Sequence, residues 1–160
     1  MLMQQYQATM LDFLKDMANS QREVCMQAGK LIADAALDGH CIHVFDSGHI
    51  INSELIERGG GLILLKPFKY NLDVTNPVRQ RNRADLETNQ EGIAKYALRS
   101  SGARPGDVII IGSVSGKTVN VVDLAIEAKA FGLTVIAVTS LRYSGAVQSV
   151  HSSGKRLFEC

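Results

Sequence analysis

The chain has 160 residues, 46% of them apolar, a formal net charge of +1 and three cysteines. That length and apolar content suit one domain with one core, while the near-neutral charge gives no general attraction to nucleic acid and no apolar run approaches the roughly 18 residues of a membrane helix. Cys25, Cys41 and Cys160 are too scattered for a disulfide framework or a metal pattern, and the opening MLMQQYQATM lacks the basic and apolar regions of a signal peptide, so a cytoplasmic protein without metal or cofactor is expected.

Apolar residues recur at helical spacing from Met10 through Phe13, Leu14 and Met17, then at Val24, Ala28, Leu31, Ile32 and Ala35. Asn19-Ser20 interrupts the pattern and Ser20-x-x-Glu23 fits a capping box, which reads as two helices, or one bent one, over residues 1–38 and stopping at Gly39. Their Met-rich face suits core packing, and it also suits dimerisation. The segment Cys41–Phe45 reads as the first strand, emptying into Asp46-Ser47-Gly48-His49 before a helical segment from Ile50 to about Arg58 that carries Glu54 and Glu57 on one side. Gly59-Gly60-Gly61 stops that helix, and Leu62–Leu65 reads as the next strand. Residues 66–88 show no periodicity and contain Arg79, Arg81 and Arg83 in alternation, either an anion-binding lid or a solvated excursion. Thr88-x-x-Glu91 then caps a helix running through Leu98 and ending at Gly102.

The stretch Asp107–Thr118, DVIIIGSVSGKT, organises the chain. Val108–Ile111 is a run of branched apolar residues bounded by turn residues, the pattern of a strand buried on both faces of a parallel sheet. Ser113-Val114-Ser115-Gly116-Lys117-Thr118 follows with three hydroxyls and a glycine, and a helix begins at about Thr118. Unpaired N–H groups and the positive end of the helix dipole suit such a loop to holding phosphate. A nucleotide P-loop does not fit, because Gly112 and Gly116 enclose three residues and Ile111 stands where the motif needs glycine; the dinucleotide fingerprint G-x-G-x-x-G is absent at both strand ends. A plain Gly/Ser turn is the alternative, and it gains little from three hydroxyls. The helix after the loop spans Val119–Phe131 and Gly132 closes it. Leu133–Val138 reads as another buried strand, followed by Thr139-Ser140. In the tail, His151-Ser152-Ser153-Gly154-Lys155 is either a chemical cluster or a surface loop. Strands alternating with helices predict an α/β fold with a mostly parallel sheet, whose two small-residue loops face one crevice.

The S-x-S-G-x-T loop at Ser113–Thr118, the strand-end Thr139-Ser140, the first loop Asp46–Ile50 and the segment TSLRYSGAVQSVHSSGKRLFE together resemble the sugar isomerase (SIS) domain family, in a bacterial branch related to phosphoheptose isomerase. The resemblance implies a flavodoxin-like three-layer α/β/α sandwich formed by residues 1–160 as a single domain. It also implies a phosphorylated sugar as ligand and a homo-oligomer, dimer or tetramer. Phosphate would fall to Ser113, Ser115 and Thr118 with the backbone of Val114 and Gly116, beside Lys117; Ser47, Gly48, Thr139 and Ser140 would complete the sugar site. The first loop departs from the family's G-x-G-x-S, with Asp46 for the first glycine and Ile50 for the serine. The family completes its sheet with a strand beyond residue 160, which leaves a fragment or a truncated form as readings.

The activity that the resemblance implies is aldose–ketose isomerisation, which needs a base near a carbon-bound proton and a donor for the developing enediolate oxygen. Glu54 is the favoured base, on the family's S/A-E-x context, with Glu57 next in line; His49 and His151 are the candidate acids. A non-catalytic phosphosugar sensor and a phosphosugar etherase or lyase are the alternatives.

Overall fold

Val108-Ile109-Ile110-Ile111 offers no polar side chain to either side of its pleat, and it forms the middle of a parallel sheet buried on both faces. The computed structural model of the chain describes residues 1–48, 51, 55–56, 60–75, 78, 82 and 89–160. It divides them into two compact units, Met1–Asp34 and Ala35–Cys160. The first unit holds α1 (Leu2–Ser20) and most of α2 (Arg22–Leu37), with Gln21 between the two helices. Two helices are thus present where the capping pattern predicted a break.

In the second unit, the described residues form four parallel strands, β1 (Ile42–Asp46), β2 (Leu65–Pro67), β3 (Val108–Gly112) and β4 (Thr134–Val138), in the order β2-β1-β3-β4. Phe45, Ile109, Ile111 and Val135 lie on one face. They pack there with Ala94 and Leu98 of α3 (Ile93–Ser100) and with Val121, Leu124, Ala125 and Ala128 of α4 (Val119–Phe131). Ile42, Val44, Val108 and Ile110 alternate to the other face and are buried as well. Fully burying one such branched side chain contributes about 1.5–3 kcal/mol, so this double-sided strand is the main apolar anchor. The arrangement is the expected α/β fold, its strand order that of flavodoxin-like sheets.

Two strands differ from the sequence reading. The run Leu62–Leu65 is a strand only from Leu65 onward: Leu65 N donates to Leu62 O in a turn, Ile63 is 89% exposed, and β2 continues through Lys66 to Pro67 against Ile42–Val44. Proline is tolerated because β2 is the edge of the described sheet. β4 is half-exposed rather than buried, since it forms the opposite edge; only Leu133 before it is buried. Gly132 ends α4 in the left-handed conformation, its N–H reaching Ala128 O and Lys129 O, as the sequence predicted.

At the amino ends of β1 and β3 a buried carboxylate ties the two strands. Asp107 Oδ1 accepts from Cys41 N at 2.9 Å, and its Oδ2 accepts from Arg104 N at 2.9 Å and from His43 Nε2 at 3.0 Å, while His40 Nδ1 stands 3.6 Å from Oδ1. Burial acts to raise the pKa of Asp107, but the bonds from His43, Cys41 and Arg104 outweigh it and hold the carboxyl below its ordinary range. A depressed carboxyl contributes stability that is present above its unfolded value of about 3.9 and lost as pH falls through that value. Asp107→Asn should therefore destabilise the fold at pH 7 by about 1–3 kcal/mol, the scale of charge-assisted bonds to a buried group. In thermal melts taken from pH 7 to pH 3, the gap between the two proteins should narrow below about pH 4. A gap that persists unchanged at pH 3 would show that the charge of Asp107 has no part in it.

Candidate functional site at the carboxyl ends of β1 and β3

The chain leaves β1 toward β2 on one side and leaves β3 toward β4 on the other, so the sheet changes direction between β1 and β3. Loops that diverge at such a point leave a crevice at the carboxyl ends of the strands. The loop after β1 and the loop after β3 flank it and touch. Asp46 is the register partner of Gly112, and Ser47 N donates to Gly112 O at 3.2 Å, with Ser47 Oγ at 3.5 Å from the same carbonyl.

Ser113–Thr118 is a tightly folded loop. Ser113 is buried and its Oγ accepts from Gly116 N at 3.2 Å, so the first hydroxyl closes the turn. Ser115 and Lys117 are half-exposed and Val114 is exposed. Gly116 has φ +57, and a Cβ there would meet Leu157 Cβ at 2.9 Å and Ser144 Oγ at 3.2 Å. Glycine is thus required both by conformation and by space. Thr118 is the N-cap of α4, yet its side chain makes no capping bond and its Oγ1 is sealed from solvent without a partner. Thr139 Oγ1 and Ser140 N both donate to Val114 O, at 3.2 and 3.3 Å, and Ser140 Oγ accepts from Tyr143 N at the start of α5 (Leu141–Ala146). These two residues brace the loop from β4.

The C-terminal segment straps the loop from behind. Val150 N donates to Lys117 O at 3.3 Å and Leu157 N to Gly116 O at 2.7 Å. Arg156 secures the strap: its Nη1 donates to the carbonyls of Ser144, Gly145 and Val147, and its other nitrogens form a two-point pair with Glu159. That pair, through its hydrogen bonds first, lowers the Glu159 carboxyl to about 2. His151 lies within the strap. Its Nδ1 accepts from Ser153 N at 3.1 Å, which leaves the proton on the buried Nε2, facing Asp123 Oδ1 at 3.8 Å. Asp123 also accepts from Gly92 N and Ala94 N, so it caps α3 from across the fold. Glu91, expected only as part of a helix cap, instead receives Ser152 N at 2.7 Å and Ser152 Oγ at 2.5 Å, and these bonds lower its pKa.

Among the described residues, the buried side-chain polar atoms without a hydrogen-bond partner are Thr118 Oγ1, Ser144 Oγ and His151 Nε2. All three surround Ser113–Thr118: the first is in the loop, the second lies against Gly116, and the third follows the residue bonded to Lys117 O. Buried polar groups are otherwise paired in folded proteins, so such a cluster marks a place with work other than packing. Ser144 had no signal in the sequence beyond a hydroxyl in a short helix.

In the first loop, Gly48 N donates to Asp46 Oδ1 at 2.9 Å and Ile51 N donates to Asp46 Oδ2 at 2.7 Å. Leu55 N donates to Ile51 O at 2.8 Å, a helical bond, and the Ile51 side chain fills the space above Gly112. His49, Glu54 and Glu57 lie outside the described residues, as do Thr88 and the arginines Arg79, Arg81 and Arg83. No group of three or more His, Cys, Asp or Glu side chains among the described residues could hold a metal ion, and no described helix is long and apolar enough to cross a membrane.

Comparison with known proteins places this architecture. The family model described as SIS domain matches residues 5–140, and the chain belongs to that family. Its relatives include proteins called UPF0309: that of Shouchella clausii is 35% identical over 158 residues, covering 98% of this chain and 64% of its own, and that of Oceanobacillus iheyensis is 34% identical over 161 residues with the same coverage. A Streptomyces avermitilis relative is 32% identical over 158 residues, covering 98% of this chain and 63% of its own. The chain thus spans under two thirds of the length of these relatives. Phosphoheptose isomerase of Neisseria gonorrhoeae shares the fold with a TM-score of 0.55 and 16% identity, over 94% of this chain and 83% of the other.

Gly116→Ala tests the packing of strap on loop. The left-handed backbone costs an alanine about 1 kcal/mol, and the contact with Leu157 adds to it, so a loss of about 1–3 kcal/mol in chemical denaturation is expected. Unchanged stability would mean that Leu157 does not sit on the loop.

Proposed function

We propose that the chain binds a phosphorylated sugar in the crevice between the two loops, with the phosphate at Ser113–Thr118, and isomerises it between aldose and ketose. The observation that carries this reading is the gathering of unpartnered buried polar atoms around one loop at the head of α4, in a chain of the SIS family. A helix start gives N–H donors and positive potential to an anion, and Ser115 and Thr118 would add hydroxyls to it, beside the Lys117 ammonium. The sugar would then extend over Ser47 and Gly48. Glu54, with Glu57 as the alternative, would remove the proton next to the carbonyl and return it to the neighbouring carbon; His49 or His151 would supply the acid.

A second reading, a sensor that binds the sugar without turnover, is favoured by the first loop, where Asp46 already occupies the N–H groups of Gly48 and Ile51. The two part in one experiment. Any sugar phosphate that binds at about 100 times its dissociation constant should stabilise the fold by about 2.7 kcal/mol, and Ser115→Ala should weaken that binding by about 1–3 kcal/mol. Solvent-proton exchange into the bound sugar should then be seen with the unmutated protein and fall in Glu54→Gln or Glu57→Gln. Binding without exchange supports the sensor; exchange at the full rate in both variants removes the glutamates from the mechanism.

The chain is proposed to act as a single cytoplasmic SIS domain, residues 1–160, in a homo-oligomer. Met3, Tyr6, Met10, Phe13 and Met17 recur along α1 at helical spacing, and all are exposed, from 39% for Met10 to 76% for Met3. An apolar stripe of this length on a water-soluble chain calls for a cover, and a second copy provides one. Sedimentation at micromolar concentration should show a dimer or tetramer, and Met10→Glu with Phe13→Glu should dissociate it; a monomer before mutation would count against the assembly.

A further inference from the structure

Asp46 sits at the mouth of the crevice. Its register partner is Gly112, the last residue before Ser113, and a Cβ on Gly112 would meet Asp46 Oδ1 at 3.3 Å, so the carboxylate hangs over the strand that delivers the second loop. Through Gly48 N and Ile51 N it also folds its own loop. Those N–H groups are what the first loop could otherwise offer an anion, and a negative charge built into the chain has taken them. Neighbouring strands are about 4.8 Å apart, well inside the Debye length of about 8 Å at physiological salt, so anything lying across both loops meets the field of this charge nearly unscreened.

We propose that Asp46 is a specificity-determining residue that limits the site to one anionic group: sugars carrying a single phosphate and an otherwise uncharged body are accepted, and sugar bisphosphates or phosphorylated sugar acids are rejected. The inference rests on the phosphate being held at Ser113–Thr118. One loop is furnished for an anion and the other is filled by one, so the crevice has opposite preferences at its two ends. A hydroxyl arriving at the first loop can donate to a carboxylate, whereas a second phosphate or a carboxylate on the ligand would face a like charge, the kind of juxtaposition that excludes wrong partners.

The test is calorimetric titration of two pairs matched in all but charge: inorganic phosphate against pyrophosphate, and fructose 6-phosphate against fructose 1,6-bisphosphate. The unmutated protein should prefer the member with one phosphate in each binding pair by about tenfold or more at low salt, and the preference should narrow as salt rises from about 0.02 M to about 0.5 M. Asp46→Asn keeps an oxygen acceptor for the loop and removes the charge, so the ratio of doubly to singly phosphorylated affinity should rise by about tenfold. Should that variant fail to fold, Asp46→Ser and the salt series on the unmutated protein read the same quantity. Equal affinity for both members in the unmutated protein, or a ratio unmoved by the variant and by salt, overturns the role of Asp46 and leaves the phosphate site standing. No binding of any of the four overturns the phosphate site and this inference together.

Discussion

The in-register pairing of β1 with β3, from Ile42 against Val108 to Asp46 against Gly112, is the interaction on which the rest of the structure depends. It joins the two strands from which the chain departs in opposite directions, and therefore sets where the crevice opens. A slip of one residue would exchange the faces of Phe45 and Val44, sending an apolar set away from its helices. It would also lift Asp46 off Gly112 and separate Ser47 from the carbonyl it now holds. The Asp107 carboxylate guards this register from the far end, because its bonds to Cys41 N and His43 are met only in one alignment.

Much of this was legible in the residues. The branched run of β3, the small-residue loop behind it and α4 closed by Gly132 follow from local preference alone, and the strand–loop–helix rhythm gives the α/β class. What local pattern could not carry was identity of neighbours. Leu62–Leu65 has no periodicity to mark where pairing begins, and only the register with Ile42 places β2 three residues later. β4 reads as buried because its residues are apolar, yet it lies at an edge, and edge or centre is a property of the whole sheet. The start of α3 shows the same limit: Gly92 N and Ala94 N are satisfied by Asp123, far along the chain, where sequence spacing suggested a cap from Thr88.

The hydroxyls around the candidate site make a related point. Their density drew attention to Ser113–Thr118 and Thr139-Ser140, but most of them shape the loop: Ser113 closes it, Thr139 holds Val114, and Ser140 caps the next helix. The groups without partners include Ser144 and His151, brought in by α5 and the strap over long stretches of sequence. A count of polar residues in a motif thus overstates how many are available to a ligand and misses those that tertiary contact supplies.

The strand order also bears on how the molecule is assembled in time. β3, α4 and β4 form one continuous stretch, whereas β1 must find β3 across more than twice that length of chain. Each doubling of a closing loop adds about 0.6 kcal/mol of entropic cost. The β3-α4-β4 unit is therefore the cheapest part of the sheet to nucleate, and the crevice, which needs β1, is among the last features to close. A chain emerging from synthesis would hold the loop Ser113–Thr118 in place before the residues that face it across the crevice arrive, so native geometry at the site reports completed folding of the second unit.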